Sequence, residues 1–444
     1  MNRLATRRNL ISGAVALVAV AAIIAMSVFL FRPSDAAMGD PVEASVPVAL
    51  SAANVPAETR LGVVVTLGSS SGAAWKDAAQ GAAVAAHRFS LSGTAIALST
   101  ADDRGTTEGA RKAVEKLVSE GVSGIIVATD GEQVDGALEA AASAGVPVLL
   151  PYYADKVDGD GAAWRTAPTE AQVSKSLTSA LAGAKRTLLI DAGGGAPASV
   201  DVAAKISFEP GADAEQLAAD VARRTGVAEP AKADGTPGRA PVANPADAVL
   251  LSGNPTQQAT VVHALQSANV TVPVVLTPGA TSPAFASRLA QAGGTASGRL
   301  STVGPDAGDA AALRPDASGR AMSGFLAGLR VLAQDKEAKN LTGDVPFSEV
   351  ANAADSRSHD AVVALVRAVS TAGSGDPAKV AKALGTLKLG PADGIAGPGL
   401  DFTRPDSMDG EPAVLHFSAQ DLGLRPLVSG TGGPASWFSS PAAD

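Results

Sequence analysis

From Arg60 onward the chain alternates short apolar runs with helical stripes, and this alternation limits the fold more than any other feature. The run LGVVVTL at 61–67 reads as a buried strand, and a small-residue helix is expected over 72–88. A second strand is expected at 94–100. After it, Ala110, Ala113, Val114, Leu117 and Val118 form one helical stripe that Gly121 ends. A third strand at 124–128, a helix at 133–144 closed by Gly145 and a fourth strand at 146–150 complete the half. Strands this uniformly apolar belong in a parallel sheet covered on both faces.

The pattern then restarts. Thr169 and Gln172 have the spacing of a capping box for a helix to about residue 182. Strands are expected at 187–191, 205–208, 248–251, 272–276 and 299–303. The intervening helix starts are marked by Asn254 before Pro255 and by Ser282 before Pro283. The stretch 228–245 reads as a surface loop. Long helices are expected at 318–333 and 356–371, another opens at Asp376 and Pro377, and short strands close the body over 399–418. Two successive α/β halves mean two lobes, and the cleft between such lobes is the default ligand site.

Composition removes several function classes. The 444 residues include no Cys, so disulfides, thiolate metal sites and a Cys nucleophile are excluded. A net charge of −9 without long basic runs argues against nucleic-acid binding. At the N-terminus, Arg3, Arg7 and Arg8 precede an uncharged run at 9–31, about the ~20 residues needed to cross a bilayer. Positive charge before the run places residues 1–8 inside as a short cytoplasmic tail and the bulk of the chain outside. Residues 6–11 also fit a loose twin-arginine signal, with a cleavage region at 34–37, so the segment is a membrane anchor or an export signal. Its length favours the anchor. Residues 32–59 read as a spacer and 430–444 as a flexible tail.

One series of motifs resembles a known family. Trp164-Arg165-Thr166-Ala167-Pro168-Thr169-Glu170-Ala171-Gln172 resembles the Phe-Arg-Thr-x-Pro-Ser/Thr-Asp-x-Gln signature of type I extracytoplasmic solute-binding proteins, in particular the branched-chain amino-acid branch. Asp102-Asp103, Gly145-Val146-Pro147, Ala246 to Val249, His359-Asp360-Ala361-Val362 and Pro398 to Phe402 agree in order. The resemblance covers about 60–429. The first half also resembles the sugar-binding type I branch, through 121–127 and 144–147.

The resemblance implies two Rossmann-like lobes joined by a hinge, with the ligand held in the cleft. It divides the chain into lobe one at 60–165, lobe two at 166–305, a return to lobe one at 306–400 and to lobe two at 401–429. It also implies a small polar ligand, an amino acid or a relative, an ABC permease as partner, and neither cofactor nor catalysis. The sequence departs from the amino-acid-binding members in two places. Gly193-Gly194-Gly195 stands where they often place a closing Tyr, and Asp130 stands in a loop that normally holds the ligand carboxylate, which it would repel.

Loops at the carboxyl ends of the strands face the cleft. They nominate Ser69, Ser70, Ser71, Thr129, Asp130, Tyr152 and Tyr153 from lobe one, and Asp191, Gly193, Asn254 and Thr277 from lobe two.

Other chemistry is weakly supported. Gly68-Ser69-Ser70-Ser71-Gly72 matches the G-x-S-x-G nucleophile elbow, but no earlier strand supplies an oxyanion loop. A Ser-rich helix cap is its plainer meaning. His87, His263, His359 and His416 lack metal-ligand spacing, and Gly193 to Gly195 lack dinucleotide-binding spacing. Trp75 reads as core. A membrane-tethered sensor or envelope module with the same fold is the alternative to transport.

Overall fold

The computed structural model describes residues 47–68, 70–157, 162–228, 238–426 and 436–439. The expected anchor or signal at 9–31, the tail at 1–8 and the first part of the spacer lie outside the described residues. Among the described residues no helix is long and apolar enough to cross a membrane.

The first sheet contains β1 (Arg60–Val65), β2 (Ala97–Asp102), β3 (Ile125–Val127), β4 (Val148–Leu150) and β5 (Ala163–Arg165), all parallel, in the order β2-β1-β3-β4-β5. The second repeats that order with β6 (Thr187–Ala192), β7 (Ala204–Ser207), β8 (Ala248–Gly253), β9 (Val274–Leu276) and β10 (Leu300–Gly304), as β7-β6-β8-β9-β10. Each sheet reverses its strand order beside its first strand, which places a ligand-accepting crevice at β1/β3 and at β6/β8.

β1 shows why the strands are continuously apolar. Leu61, Val63 and Val65 enter one hydrophobic cluster, while Val64 enters another on the opposite face. The first cluster is closed by the helix Ser356–Ala372, where Ala361 to Val366 are all buried. The second is closed by the helices Thr107–Ser119 and Val134–Ala144. Leu117 packs so closely on β1 that a Cβ at Gly62 would lie 2.9 Å from it, so only Gly fits there without displacement.

Three crossings join the lobes. The first and third are laced together at the motif that begins with Trp164. Arg165 donates its backbone N–H to Pro405 O (2.8 Å) and accepts from Ser407 N (2.8 Å). The Arg165 guanidinium holds Ala154 O at 2.6 Å and pairs with Asp406, and Trp164 Nε1 donates to Phe402 O at 2.9 Å. The capping box forms in both directions: Thr169 Oγ1 accepts from Gln172 N (3.1 Å) and Gln172 Oε1 from Thr169 N (2.9 Å).

Three stretches depart from the sequence reading. Residues 72–88, expected as one helix, form two short 3-10 turns, Ser71–Trp75 and Ala78–Gln80, ahead of the helix Gly81–Ser90. Residues 47–55, expected as spacer, dock on lobe one. Val48 O accepts from Arg88 Nε (2.7 Å), Leu50 N donates to Arg88 O (2.9 Å), Ser51 O accepts from Arg367 Nη1 (2.7 Å), and Leu50 sits in the core cluster. Side-chain donors from distant helices hold this backbone, and periodicity within 47–55 cannot report that. In the expected flexible tail, Ser436–Ser439 instead forms an edge strand. β11 (Lys388–Leu389) and β12 (Leu400–Asp401) make a small ribbon, and β13 (Ala413–Ser418) then pairs antiparallel with β10. β14 (Ser436–Ser439) pairs antiparallel with β13, and Trp437 packs 4.7 Å from Phe417 while its Nε1 donates to Ala280 O at 2.9 Å.

Candidate functional site

An open cavity of about 1220 Å³ lies between the lobes. Lobe one supplies Ala73, Ala74, Lys76 and Asp77, after β1, and residues 349–350 and 352–357; lobe two supplies 281–284, 286–291 and Trp437. The two walls come from different sheets, as the pattern of two α/β halves requires.

Most of the strand-end residues nominated by the sequence are engaged inside the protein. Thr129 is fully buried; its hydroxyl bonds Thr66 Oγ1 at 2.6 Å and accepts from Gln133 Nε2 at 3.0 Å. Thr66 also donates to Asp103 at 2.9 Å, so the loops after β1, β2 and β3 are knitted together. Gly72 lies against this knot: a Cβ there would sit 2.3 Å from Thr129 Oγ1.

Tyr152 stacks on Trp75 with ring centroids 4.7 Å apart and donates to Asp355 at 2.8 Å. Burial and then Asp355 push its hydroxyl well above the usual range. Tyr153 packs in the opposite cluster, 3.4 Å from Asp135, and burial raises it to about 12. In lobe two, Asp191 accepts from Gly193 N (3.0 Å) and Gly195 N (2.9 Å) and pairs with Lys205 at 2.6 Å. The glycine loop is therefore wrapped around its own carboxylate. Asn254 caps the helix Pro255–Ser267 through Gln257 N (2.9 Å), and Thr277 accepts from Gln258 at 3.0 Å.

Ser70 is exposed, makes no capping bond and lies against Gly105. Ser69 and the Ser71 side chain lie outside the described residues. None of the nominated residues that are described lines the cavity.

Asp130, in the loop after β3, also has a displaced titration. Burial and then Asp155 raise it to about 6. Its folded value exceeds the unfolded one, so the folded state binds the extra proton between about pH 4 and pH 6. Stability should fall as pH rises through that window, by about 1–3 kcal/mol. Asp130→Asn is expected to remove this fall, measured as urea midpoints from pH 4 to pH 7; an unchanged pH profile would count against the assignment.

The cavity wall carries different chemistry. Arg357 lies 4.5 Å from the Trp75 ring centroid and 4.6 Å from that of Tyr152, with Asp355 fixing its Nε at 2.7 Å. The guanidinium is thereby held against two aromatic rings and by Asp355 along one edge, and Arg357 lines the cavity. Asp77 is half-buried beside Trp75, and its carboxylate has no hydrogen bond or ion pair among the described residues. Burial raises its pKa, against a smaller opposing pull from Lys76. Ser282 and Asn352, at opposite walls, each hold a buried polar atom without a partner. A carboxylate, a braced guanidinium and unspent polar groups in one cavity are suited to a small polar ligand carrying charge. Among the described residues no group of three His, Asp or Glu could hold a metal.

The sequence reading missed these residues for concrete reasons. Trp75 was legible as core, but Asp77 two positions later had no motif. Arg357 lies two residues before His359-Asp360 and is not part of that motif. Ser282, before Pro283, carries only the sequence signal of a helix start.

A family model described as periplasmic binding protein matches residues 58–412. The chain belongs to the periplasmic binding protein family. No curated protein sequence matches this periplasmic binding protein. Its fold is that of the type I members. It is similar to the branched-chain amino-acid transporter binding protein LivJ of Streptococcus pneumoniae in complex with isoleucine, at 16% identity and TM-score 0.58, covering 86% of this chain and 100% of that one. The leucine binding protein LivK of Thermotoga maritima aligns at 17% identity and TM-score 0.55, covering 86% and 98%. An extracellular ligand-binding receptor of Rhodopseudomonas palustris aligns at 14% and 0.60, covering 86% and 100%.

Proposed function

We propose that this periplasmic binding protein captures a small polar ligand, an amino acid or a related compound, in the interlobe cavity outside the cytoplasm and delivers it to an ABC-type permease. The observation that carries this reading is the presence of both an unpartnered Asp77 carboxylate and a braced Arg357 guanidinium on the wall of a cavity whose other wall belongs to the second lobe. An unpartnered, half-buried carboxylate is costly unless a ligand supplies the counter-charge. The relatives from Streptococcus pneumoniae and Desulfitobacterium hafniense hold isoleucine and Leu, which supports the ligand class. In this reading, residues 60–165 and 306–400 serve as lobe one, 166–305 and 401–429 as lobe two, and 9–31 serves as anchor or export signal. No chemical step is assigned to the protein.

Thermal unfolding of residues 46–444 against amino acids, amides, sugars and short peptides tests the reading. A ligand present at about 100 times its dissociation constant should add about 2.7 kcal/mol of stability. A flat response to every class would contradict it.

A further inference from the structure

Beyond the three crossings, a fourth link joins the lobes. β13 and β14 both belong to the lobe-two sheet, yet the chain leaving β13 reaches onto lobe one before β14 begins. Leu424 packs against the cluster that contains Phe325, Leu329 and Phe347, and its carbonyl accepts from Arg330 Nη1 at 2.7 Å. Arg425 then makes a bidentate pair with Asp309 (2.6 and 2.8 Å) and donates to Asn352 O (2.9 Å) and Ala354 O (2.7 Å). Asp309 opens the short helix that leads into the lobe-one helix Ala317–Gln334. Arg425, Asp309, Asn352 and Ala354 all line the interlobe cavity.

We infer that residues 419–426 act as a strap that restricts the angle between the lobes, with Arg425 as its fastener. The six steps from Ser418 to Leu424 reach at most about 20 Å, so a rotation of lobe two either stays within that slack or pulls Arg425 from its acceptors. Arg suits this task because its planar fork engages a carboxylate by two bonds while a third nitrogen binds carbonyls. By narrowing the range of lobe angles in the unloaded protein, the strap sets how much of the population is competent to bind. Loosening the strap shifts the balance toward open states. The inference concerns the empty protein and does not depend on which ligand is bound.

The absence of Cys makes the test direct. Glu139→Cys on lobe one and Gln216→Cys on lobe two, both exposed, accept a pair of spin labels. Electron–electron double resonance on ligand-free protein should give one narrow distance distribution. Arg425→Gln in that background should broaden it and add a longer component. An unchanged distribution in a folded Arg425→Gln protein overturns the strap. If Arg425→Gln does not fold, Asp309→Asn removes the ion pair and leaves the carbonyl contacts. It should broaden the distribution to a smaller degree, and an unchanged distribution there overturns the strap equally.

Discussion

Asp360→Asn is expected to destabilise the protein by about 3–5 kcal/mol, the usual cost of breaking one member of a buried charged network. Asp360, buried on the helix Ser356–Ala372, holds the backbone at 396–397. One of its oxygens accepts from His359 Nδ1 (2.8 Å) and Ala396 N (2.8 Å), the other from Gly397 N (2.8 Å). Behind it, Arg88 Nη1 lies 2.9 Å from His359 Nε2. Arginine only donates, so Nε2 accepts and the proton sits on Nδ1, directed at Asp360. Burial lowers Arg88 to about 10, which leaves it charged at neutral pH.

An Asn in place of Asp360 would remove the charge that offsets Arg88. It would also turn an NH2 group toward a donor, either the His359 ring or a backbone N–H. Chemical denaturation should show the loss as a lower midpoint with an unchanged slope. A change under about 1 kcal/mol would mean that the network contributes little beyond packing. Burial also depresses His359 below its ordinary value, with Asp360 opposing. Its unfolded form therefore takes up the proton first, so this contribution is complete above about pH 6.5 and erodes as pH falls.

The second large effect separates binding from stability. Asp77→Asn should weaken ligand affinity by roughly 10- to 150-fold, the equivalent of about 1.5–3 kcal/mol for a hydrogen bond to a charged group. The same change should leave the melting temperature unchanged or raise it. Burial raises the Asp77 pKa without a partner among the described residues, so its ionised form opposes folding as pH rises through the folded value. Arg357→Gln should also lose affinity but lower the melting temperature, because it abandons Asp355 and the rings of Trp75 and Tyr152. Calorimetric titration and thermal unfolding of both variants read the two quantities independently. Equal affinity for wild type and Asp77→Asn would remove Asp77 from the site.

The fold was legible because it rests on local signals. Continuous apolar strands, the Thr169–Gln172 capping box and the Pro-opened helices each specify an element from a few neighbouring residues, and their alternation specifies parallel sheets. The site was less legible because it rests on which side chains are already engaged. Thr129 and Asp191 sit at strand ends where ligand contacts are usual, but Thr66, Gln133, Lys205 and the backbone of Gly193 and Gly195 engage them first. Arg357 and Trp75 are 282 positions apart in sequence and meet only when the helix Ser356–Ala372 packs on the first sheet. The docking of residues 47–55 and of Arg425 is equally non-local. Aromatic residues make up 3% of the chain, and two of them brace the guanidinium in the cavity wall.

A crystal structure with the ligand that gives the largest thermal shift tests the central claim most directly. Density between Ala73 to Asp77 and the helix Pro283–Gln291, in contact with Arg357 and Asp77, is the expected result. Density over the Thr129, Asn254 and Thr277 loops, clear of Arg357 and Asp77, would contradict it.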